Sequence, residues 1–221
     1  MYWRRFEWRK YAPLALMLVF PVLGMLYGWT NTRPTADVYS LVTDFDRATP
    51  FIKYFALPYS VWIFYIYACL VYFFKKDVNL YYKGLAIYTI CALTCYLVYM
   101  VFQTTVPRPE ITGGDPFSLL MNFIYERDRP FNCFPSIHCF SSYMVMRLLW
   151  GSSFKNRWNM ILITGMSSTI ILSTLFIKQH VILDALAGVL LVEFVLAGMT
   201  IVETQLKESR QRQRQKRTFG A

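Results

Sequence analysis

Long apolar stretches alternate with short polar connections along this chain. Six stretches approach the roughly 20 residues that a membrane-spanning helix requires. They cover residues 11–32, 54–74, 84–107, 136–150, 158–177 and 181–202. The first three and the fifth contain no charged residue, whereas Arg147 lies near the end of the fourth, and the sixth contains Asp184 and Glu193. The pattern predicts an all-α integral membrane bundle of about six transmembrane helices.

Composition supports the same class of protein. Hydrophobic residues make up 56% of the chain and aromatic residues 18%, which is too apolar for an ordinary soluble domain. The first apolar stretch is long and has no small-x-small cleavage site after it, so we expect a retained span rather than a signal peptide. Because there is no internal repeat and no Gly/Ser-rich linker, residues 1–221 are interpreted as one membrane domain.

The distribution of charge predicts the orientation. The net charge is +10, and six spans would place both termini on one side. Most of the 23 Lys and Arg residues would share that side, in the N-terminus, the short loops and the tail 204–221, so this side is expected to be cytoplasmic. The basic tail is interpreted as a solvated helix end, with anionic cytoplasmic lipids as its alternative partner. We expect a multi-pass protein of the cell membrane and no nucleic-acid partner.

Both histidines of the chain lie in short polar constellations that suit phosphoryl chemistry. His138 follows Pro135-Ser136-Ile137, and His180 is followed four residues later by Asp184. Residues four apart share one face of a helix, so the carboxylate can hold the imidazole of His180 in one tautomer. The expected topology brings both histidines and Arg108 to the external surface.

These residues can divide the work of cleaving a phosphate ester. If Asp184 binds one ring nitrogen of His180, the other nitrogen is free to attack phosphorus, which gives a phosphohistidine. His138 would then protonate the leaving oxygen and later activate water or an acceptor alcohol. Arg108, held in extended backbone by its flanking prolines, offers a planar fork for phosphate oxygens. Free backbone N–H groups at a helix start near Ser136 and Ile137 would add an anion site.

Taken together, these motifs resemble the type 2 phosphatidic acid phosphatase superfamily over roughly residues 50–203. Arg108-Pro109, the Pro-Ser-Ile-His element ending at His138, and Ser173 with His180 and Asp184 look like its three signatures, in order and internal spacing. The resemblance implies that His180 is the nucleophile, Asp184 its orienting residue and His138 the acid, with Arg108 and Ser136 as phosphate ligands. Ser173, Ile137, Lys178 and Arg129 complete the candidate phosphate site.

The chain lacks two cationic residues that the family pattern often contains. Val101 stands where the first signature often has Lys, and Thr174 stands where the third often has Arg. Arg127, Arg129 or Lys178 could replace the missing charge. The branch of the superfamily that contains inositol phosphorylceramide synthase has similar losses, and residues 131–134 and Lys178-Gln179 also resemble that branch.

The expected function is therefore a membrane lipid-phosphate phosphatase that hydrolyses phosphomonoester or pyrophosphate lipids. One alternative is head-group transfer between phospholipids and sphingolipids, and a second is a non-enzymatic membrane carrier or assembly subunit. No cofactor is expected, since cationic side chains and helix N-termini can stabilise the phosphoryl oxygens. No metal is expected either, because Cys133 and Cys139 have no metal-binding pattern around them. Glu193, about half a turn out of phase with Asp184, is given no catalytic role.

Overall fold

The computed structural model describes residues 8–32 and 37–219, with side chains described from Arg9 to Gln211 within those ranges. Ten α-helices and one pair of short parallel strands make up this part of the chain. They are α1 (Trp8–Tyr11), α2 (Val19–Asn31), β1 (Tyr39–Ser40), α3 (Asp44–Ala48), α4 (Ala56–Ser60), α5 (Trp62–Lys76), α6 (Val78–Val101), β2 (Thr104–Thr105), α7 (Pro116–Arg127), α8 (Ile137–Trp150), α9 (Arg157–Phe176) and α10 (Ile182–Phe219). Two 3₁₀ segments, Ala12–Leu18 and Lys53–Phe55, lead into α2 and α4.

The predicted all-α membrane bundle is confirmed. Five helical segments of the described chain are long and apolar enough to cross a membrane, namely Arg9–Asn31, Lys53–Lys76, Val78–Val101, Arg157–Phe176 and Ile182–Gln211. The third begins six residues earlier than the predicted stretch 84–107, because Lys83 does not interrupt the helix. It ends at Val101, since the following backbone leaves the helix and enters β2, which pairs with β1.

The stretch 136–150 forms a short central helix instead of a long span. At 14 residues α8 is roughly 21 Å long, less than the roughly 30 Å of a hydrocarbon core. It packs against α5, α6, α9 and α10, and its side chains Phe140, Met144 and Leu149 are fully buried. Surrounding helices thus cover α8 on several sides, which explains why a short and polar helix can lie in the centre of the bundle.

Polar side chains mark the helix starts that matter for the site. Ser136 accepts a hydrogen bond from the backbone N–H of Cys139 at 3.3 Å and so caps α8. Thr43 and Asp46 form a capping box at α3. Asp115 caps α7 by accepting from the N–H groups of Phe117 and Ser118. These caps fix the points at which each chain segment turns into its helix.

Side-chain contacts show that the loops between the helices lie at two ends of the bundle. At one end Tyr11 packs on Phe74, and Tyr72 packs on Phe154. This end gathers the start of the first span, the loop after Lys76 and the loop around Lys155. Arg4 and Arg5 and the tail side chains beyond Gln211, which the predicted orientation also places on the cytoplasmic side, lie outside the described residues.

Segments containing the candidate catalytic residues gather at the other end. Asn31 at the end of α2 donates to the carbonyl of Phe131 at 3.2 Å, and Tyr99 near the end of α6 donates to the carbonyl of Pro135 at 2.6 Å. The loop before α8 is therefore held by two of the long helices. The grouping of these segments at one end agrees with the prediction that Arg108, His138 and His180 reach the same surface from three distant parts of the chain.

Glu193 has a structural partner within the bundle. Its Oε1 accepts hydrogen bonds from the hydroxyl of Tyr143 at 2.5 Å and from Nε of Arg147 at 2.9 Å, both on α8. A charge at membrane depth is costly unless it is paired, and this ion pair provides the pairing. The contacts attach α10 to α8 at a distance from the histidines.

Candidate active site

His180 and Asp184 meet at the start of α10. His180 is 8% exposed, and its Nδ1 lies 3.4 Å from Oδ2 of Asp184, which is fully buried. The same Oδ2 accepts the backbone N–H of Val181 at 3.0 Å. Asp184 lies in the first helical turn, where the helix dipole favours a carboxylate. The contact directs Nε2 of His180, the nitrogen opposite Nδ1 in the ring, away from the carboxylate.

The starts of α8 and α10 are fastened to each other. The backbone N–H of Ser136 donates to the carbonyl of Asp184 at 3.1 Å. Gly188, one turn beyond Asp184, lets the helices approach closely, because a Cβ there would lie 2.9 Å from the carbonyl oxygen of Ser136. As a result the rings of His138 and His180 lie with their centroids 5.7 Å apart. The two histidines therefore face one shared space.

Aromatic rings hold His138 in place. Tyr59 stacks on the imidazole with centroids 4.3 Å apart, and Trp62 packs against it at 4.1 Å. Both aromatic residues are anchored by hydrogen bonds, from the hydroxyl of Tyr59 to Asp128 at 2.7 Å and from Nε1 of Trp62 to Oγ of Ser141 at 2.8 Å. Such packing limits the rotamers of His138 and keeps its ring beside His180.

Arg108 approaches the histidines from the segment after β2. Its Nη1 donates to the carbonyl of Tyr125 at 3.3 Å, its Nη2 donates to Oε1 of Gln179, and its guanidinium lies 4.5 Å from the centre of the Tyr125 ring. Burial raises the pKa of Tyr125 to about 12, so this ring stays neutral under the cation. Three neighbouring contacts thus fix the plane of the guanidinium.

Two buried donors next to His180 have no hydrogen-bond partner. They are Nε of Arg108 and Nε2 of Gln179, and Gln179 is 2% exposed. A buried donor without an acceptor costs free energy, and either an ordered water or a bound anion can supply the acceptor. An anion bound beside His180 would supply the missing acceptors.

A cavity of about 400 Å³ opens beside Arg108, whereas Gln179 does not line it. Its charged and polar lining consists of Arg47, Arg108, Lys178, His180, Asp46 and Thr49, and the other lining side chains are apolar. Nζ of Lys178 donates to the carbonyls of Asp46 at 2.7 Å and Thr49 at 2.5 Å. Burial lowers the pKa of Lys178, and the nearby Asp46 opposes that shift. Arg108 and Lys178 thus lie beside one imidazole, an arrangement that suits a phosphoryl group. Arg47 is paired with Asp44 at 2.6 Å, and Asp46 adds a carboxylate to the lining. We call this cavity the cationic cavity.

A second and larger cavity also reaches the histidines. It measures about 870 Å³, and both His138 and His180 line it. Its remaining lining is largely aromatic and includes Phe20, Gly24, Gly28, Trp62, Tyr88 and Tyr96. We call this cavity the aromatic groove. His180 is thus the side chain shared by a cationic cavity and an aromatic one.

The other predicted phosphate ligands are placed differently. The side chain of Ser136 is buried and occupied as the cap of α8, and Ile137 lines the aromatic groove. Ser173 is fully buried and donates to the carbonyl of Ile170 within its own helix. Arg129 is exposed and lines neither of the two cavities, whereas Arg127 lines the aromatic groove. Lys178 is therefore the predicted replacement cation that shares a cavity with Arg108.

Cys133 forms a cluster with His180 and Asp184 that the sequence interpretation did not anticipate. One potential ligand atom from each lies within 4.8 Å of the others, a spacing that a soft divalent cation could bridge after small adjustments. Burial, followed by the nearby Asp184, raises the pKa of the Cys133 thiol well above its ordinary value. A protonated thiol is a poor metal ligand, so a metal would bind here only with loss of that proton.

Several residues of the site carried little signal in the sequence. Gln179 is adjacent to His180, and its buried amide could be suspected only from that position. Arg47, Tyr59 and Trp62 reach the site from segments far from the motifs. Tyr and Trp are common in membrane helices for other reasons, so their role beside His138 requires coordinates to recognise.

Comparison of the chain with models of protein families, with curated proteins and with solved structures found no match.

Proposed function

We propose that the protein transfers the phosphoryl group of a membrane lipid phosphate through a phosphohistidine at His180, with water as the final acceptor. The observation that supports this most directly is the pairing of His138 and His180 from separate helices, with ring centroids 5.7 Å apart. The cationic cavity that His180 shares with Arg108 and Lys178 adds the charge that the chemistry needs. The motif resemblance to the type 2 phosphatidic acid phosphatase superfamily points to the same reaction class.

In the first step, Nε2 of His180 attacks phosphorus while the bond from phosphorus to the lipid oxygen breaks. Burial, followed by the neighbouring His180, lowers the pKa of His138 well below its ordinary value. A phosphate anion bound beside the ring favours its protonated form, which gives its proton to the departing oxygen and releases the lipid alcohol. Asp184 stabilises the cationic ring that forms at His180. The position of this carboxylate at Nδ1 supports the assignment of Nε2 as the attacking atom.

In the second step, water attacks the phosphohistidine. His138, now neutral, takes a proton from that water, the bond from phosphorus to nitrogen breaks, and inorganic phosphate leaves. Both histidines return to their starting protonation states. The unpartnered Nε of Arg108, which lines the cationic cavity, would bind a phosphoryl oxygen throughout, where preorganised donors are worth the most.

Head-group transfer is the second candidate, and the aromatic groove is the specific observation that favours it. Because His138 lines a cavity of about 870 Å³, an acceptor alcohol could replace water beside it. In that reaction His138 would take the proton of the alcohol, and the phosphoryl group would pass from His180 to the lipid acceptor. We further propose that the histidines face the extracytoplasmic side and that both termini are cytoplasmic, as the charge distribution favours. Anionic lipids are the proposed partner of the basic tail.

The proposed function is tested with the purified full-length chain and a panel of lipid phosphates that includes phosphatidic acid and a polyprenyl pyrophosphate. Release of inorganic phosphate by the wild type, and its loss in both His180→Ala and His138→Ala, is the expected result. Thr169→Ala serves as a control, because its hydroxyl bonds only the carbonyl of Gly165 in its own helix. Unchanged phosphate release in both histidine variants would refute the assignment, and no release by the wild type on any lipid would favour a non-enzymatic role.

Product analysis separates the two reactions. When a ceramide-like alcohol is added together with phosphatidic acid, a transferase forms the phosphomonoester of that alcohol and releases less inorganic phosphate. A hydrolase releases the same amount of phosphate with and without the alcohol.

A further inference from the structure

We infer that the aromatic groove binds the hydrocarbon chain of the lipid substrate, and that Gly24 and Gly28 determine how bulky a chain it admits. This inference rests on the proposed function, because the occupant is the lipid phosphate that reacts at His180. It assigns a role to α2, a helix that lies outside residues 50–203, where the catalytic motifs lie. The hydrocarbon chain is thereby placed inside the protein rather than in the surrounding bilayer.

One face of α2 forms a wall of the groove. Phe20, Gly24 and Gly28 all line it, and their spacing of four residues places them on the same side of the helix. From Phe20 to Gly28 this wall extends roughly 12 Å along the helix axis. Phe20 also packs against Tyr67 at 4.8 Å and Tyr88 at 4.3 Å. The wall that α2 contributes is therefore apolar, whereas Arg127, Asp128 and Asn132 give another part of the lining a polar character.

The groove leads directly to the reacting atoms. Because α2 ends against the loop before α8, Gly28 lies nearer that loop than Phe20 does. His138 and His180 both line the groove, whereas His138 is absent from the lining of the cationic cavity. A group that receives a proton from His138 therefore has to lie in or at the mouth of the groove. In the proposed reaction that group is the leaving oxygen of the lipid, so the chain attached to it is directed into the groove while the phosphate occupies the cationic cavity.

Size and lining fit such an occupant. At about 870 Å³ the groove falls within the range of roughly 300–1,000 Å³ that is typical of small-ligand sites. The side chain of Phe64 lines it and is 73% exposed, so the groove has an edge on the outer surface of the bundle, where membrane lipid would lie. A lipid can therefore enter sideways while its head group stays at the polar end.

Gly24 and Gly28 leave unfilled space along the wall. A Cβ at either position would have no other heavy atom within 4 Å, so the first atom of a side chain meets no obstruction there. Because both glycines line the groove, we expect a larger side chain at either position to reduce its volume. Gly165 on α9 and Gly198 on α10 are equally unobstructed and line neither cavity, which makes them matched controls.

The test compares Gly24→Phe, Gly24→Leu and Gly28→Phe with Gly165→Phe and Gly198→Phe, each in the full-length chain. Turnover is measured on dipalmitoyl and on dibutyryl phosphatidic acid, which share a head group and differ in chain length. We expect the groove variants to lower kcat/KM on the long-chain lipid about tenfold through a higher KM. That change equals roughly 1.4 kcal/mol, about the burial of two methylene groups. The short-chain lipid, which barely reaches the groove, should be turned over within about twofold of wild type, and this also shows that the variants are folded.

Two results would overturn the inference. One is an unchanged ratio of long-chain to short-chain turnover in all three groove variants, and the other is an equal change of that ratio in the control variants. If the wild type turns over neither lipid, the proposed function fails, and the groove is then judged by binding alone. Native mass spectrometry with dipalmitoyl phosphatidic acid should show about tenfold weaker binding to Gly24→Phe than to Gly165→Phe, and equal binding would reject the groove as a lipid site.

Discussion

Gly188→Ala tests whether the close approach of α8 and α10 creates the histidine pair. The added Cβ would lie 2.9 Å from the carbonyl oxygen of Ser136 and 3.0 Å from the backbone nitrogen of Phe140. Both are backbone atoms, so no side-chain rotation relieves the contact. To reach an ordinary separation of about 3.4 Å, the start of α8 has to move away by about 0.5 Å, the difference between 3.4 and 2.9 Å.

The energetic consequence follows from two opposing effects. Overpacking of this kind costs about 1–3 kcal/mol, whereas replacing a helical glycine with alanine gains about 1 kcal/mol. Gly198→Ala on the same helix should show only the gain in helix stability, because nothing lies within 4 Å of its Cβ. Gly188→Ala should therefore be about 1–3 kcal/mol less stable than Gly198→Ala, which lowers its melting temperature by several degrees.

Activity should fall as well, because His138 moves together with the start of α8. A misplacement near 1 Å can cost about a hundredfold, so we expect roughly a tenfold lower kcat from half that distance. The assays are thermal unfolding in detergent and turnover on phosphatidic acid, both on the same preparation. If Gly188→Ala matches Gly198→Ala in melting temperature and in kcat, the helices are not held at contact distance, and the geometric argument is wrong.

Three further predictions concern single groups. Asp184→Asn should lower kcat by roughly 10²–10⁴, as expected for loss of the carboxylate that orients a catalytic imidazole, and a loss below threefold would exclude that role. Lys178, whose pKa burial lowers, should lose its proton below its ordinary value of about 10.4, so kcat/KM should decline on the alkaline side. Lys178→Arg should remove that decline, since guanidinium stays charged, and an unchanged profile would mean that Lys178 does not bind phosphate. Ser142→Ala should leave stability unchanged or raise it, because the buried hydroxyl of Ser142 has no partner. Ser141→Ala should lower stability by about 1–2 kcal/mol, because it leaves Nε1 of Trp62 unpaired. Thermal unfolding measures both, and equal melting temperatures of the two variants would contradict this contrast.

The long apolar stretches were sufficient to predict the helical bundle, because length and composition alone decide which segments can cross a bilayer. Length and composition were insufficient to predict the structure of α8. Ser141, Ser142 and Arg147 made this segment look like an imperfect span, and only its packing against four helices explains a short, polar and central helix. Helix ends also depended on tertiary contacts, as at Val101, where the chain turns toward the strand pair.

Within the site, helical spacing predicted the contact between His180 and Asp184, but the structure forms it differently. His180 lies in the loop two residues before α10 begins at Ile182, and Asp184 reaches it from the first turn of that helix. The pairing of His138 with His180 was expected from topology, but the close approach that creates it depends on Gly188, which carried no functional signal. Gln179 could not be assigned in advance, because an unpartnered buried donor is defined by its surroundings. The aromatic groove was also beyond prediction, since its walls come from helices distant in the sequence.

The most direct test of the proposed chemistry is to trap the phosphorylated protein. Full-length chain is mixed with phosphatidic acid that carries a radioactive phosphate, denatured within the first turnovers, and examined for a label that is stable in alkali and lost in acid, as a phosphohistidine is. The proposed function predicts such a label on the peptide that contains His180, and none in His180→Ala. A wild-type protein that releases phosphate without ever carrying the label, or a label that persists in His180→Ala, would contradict it.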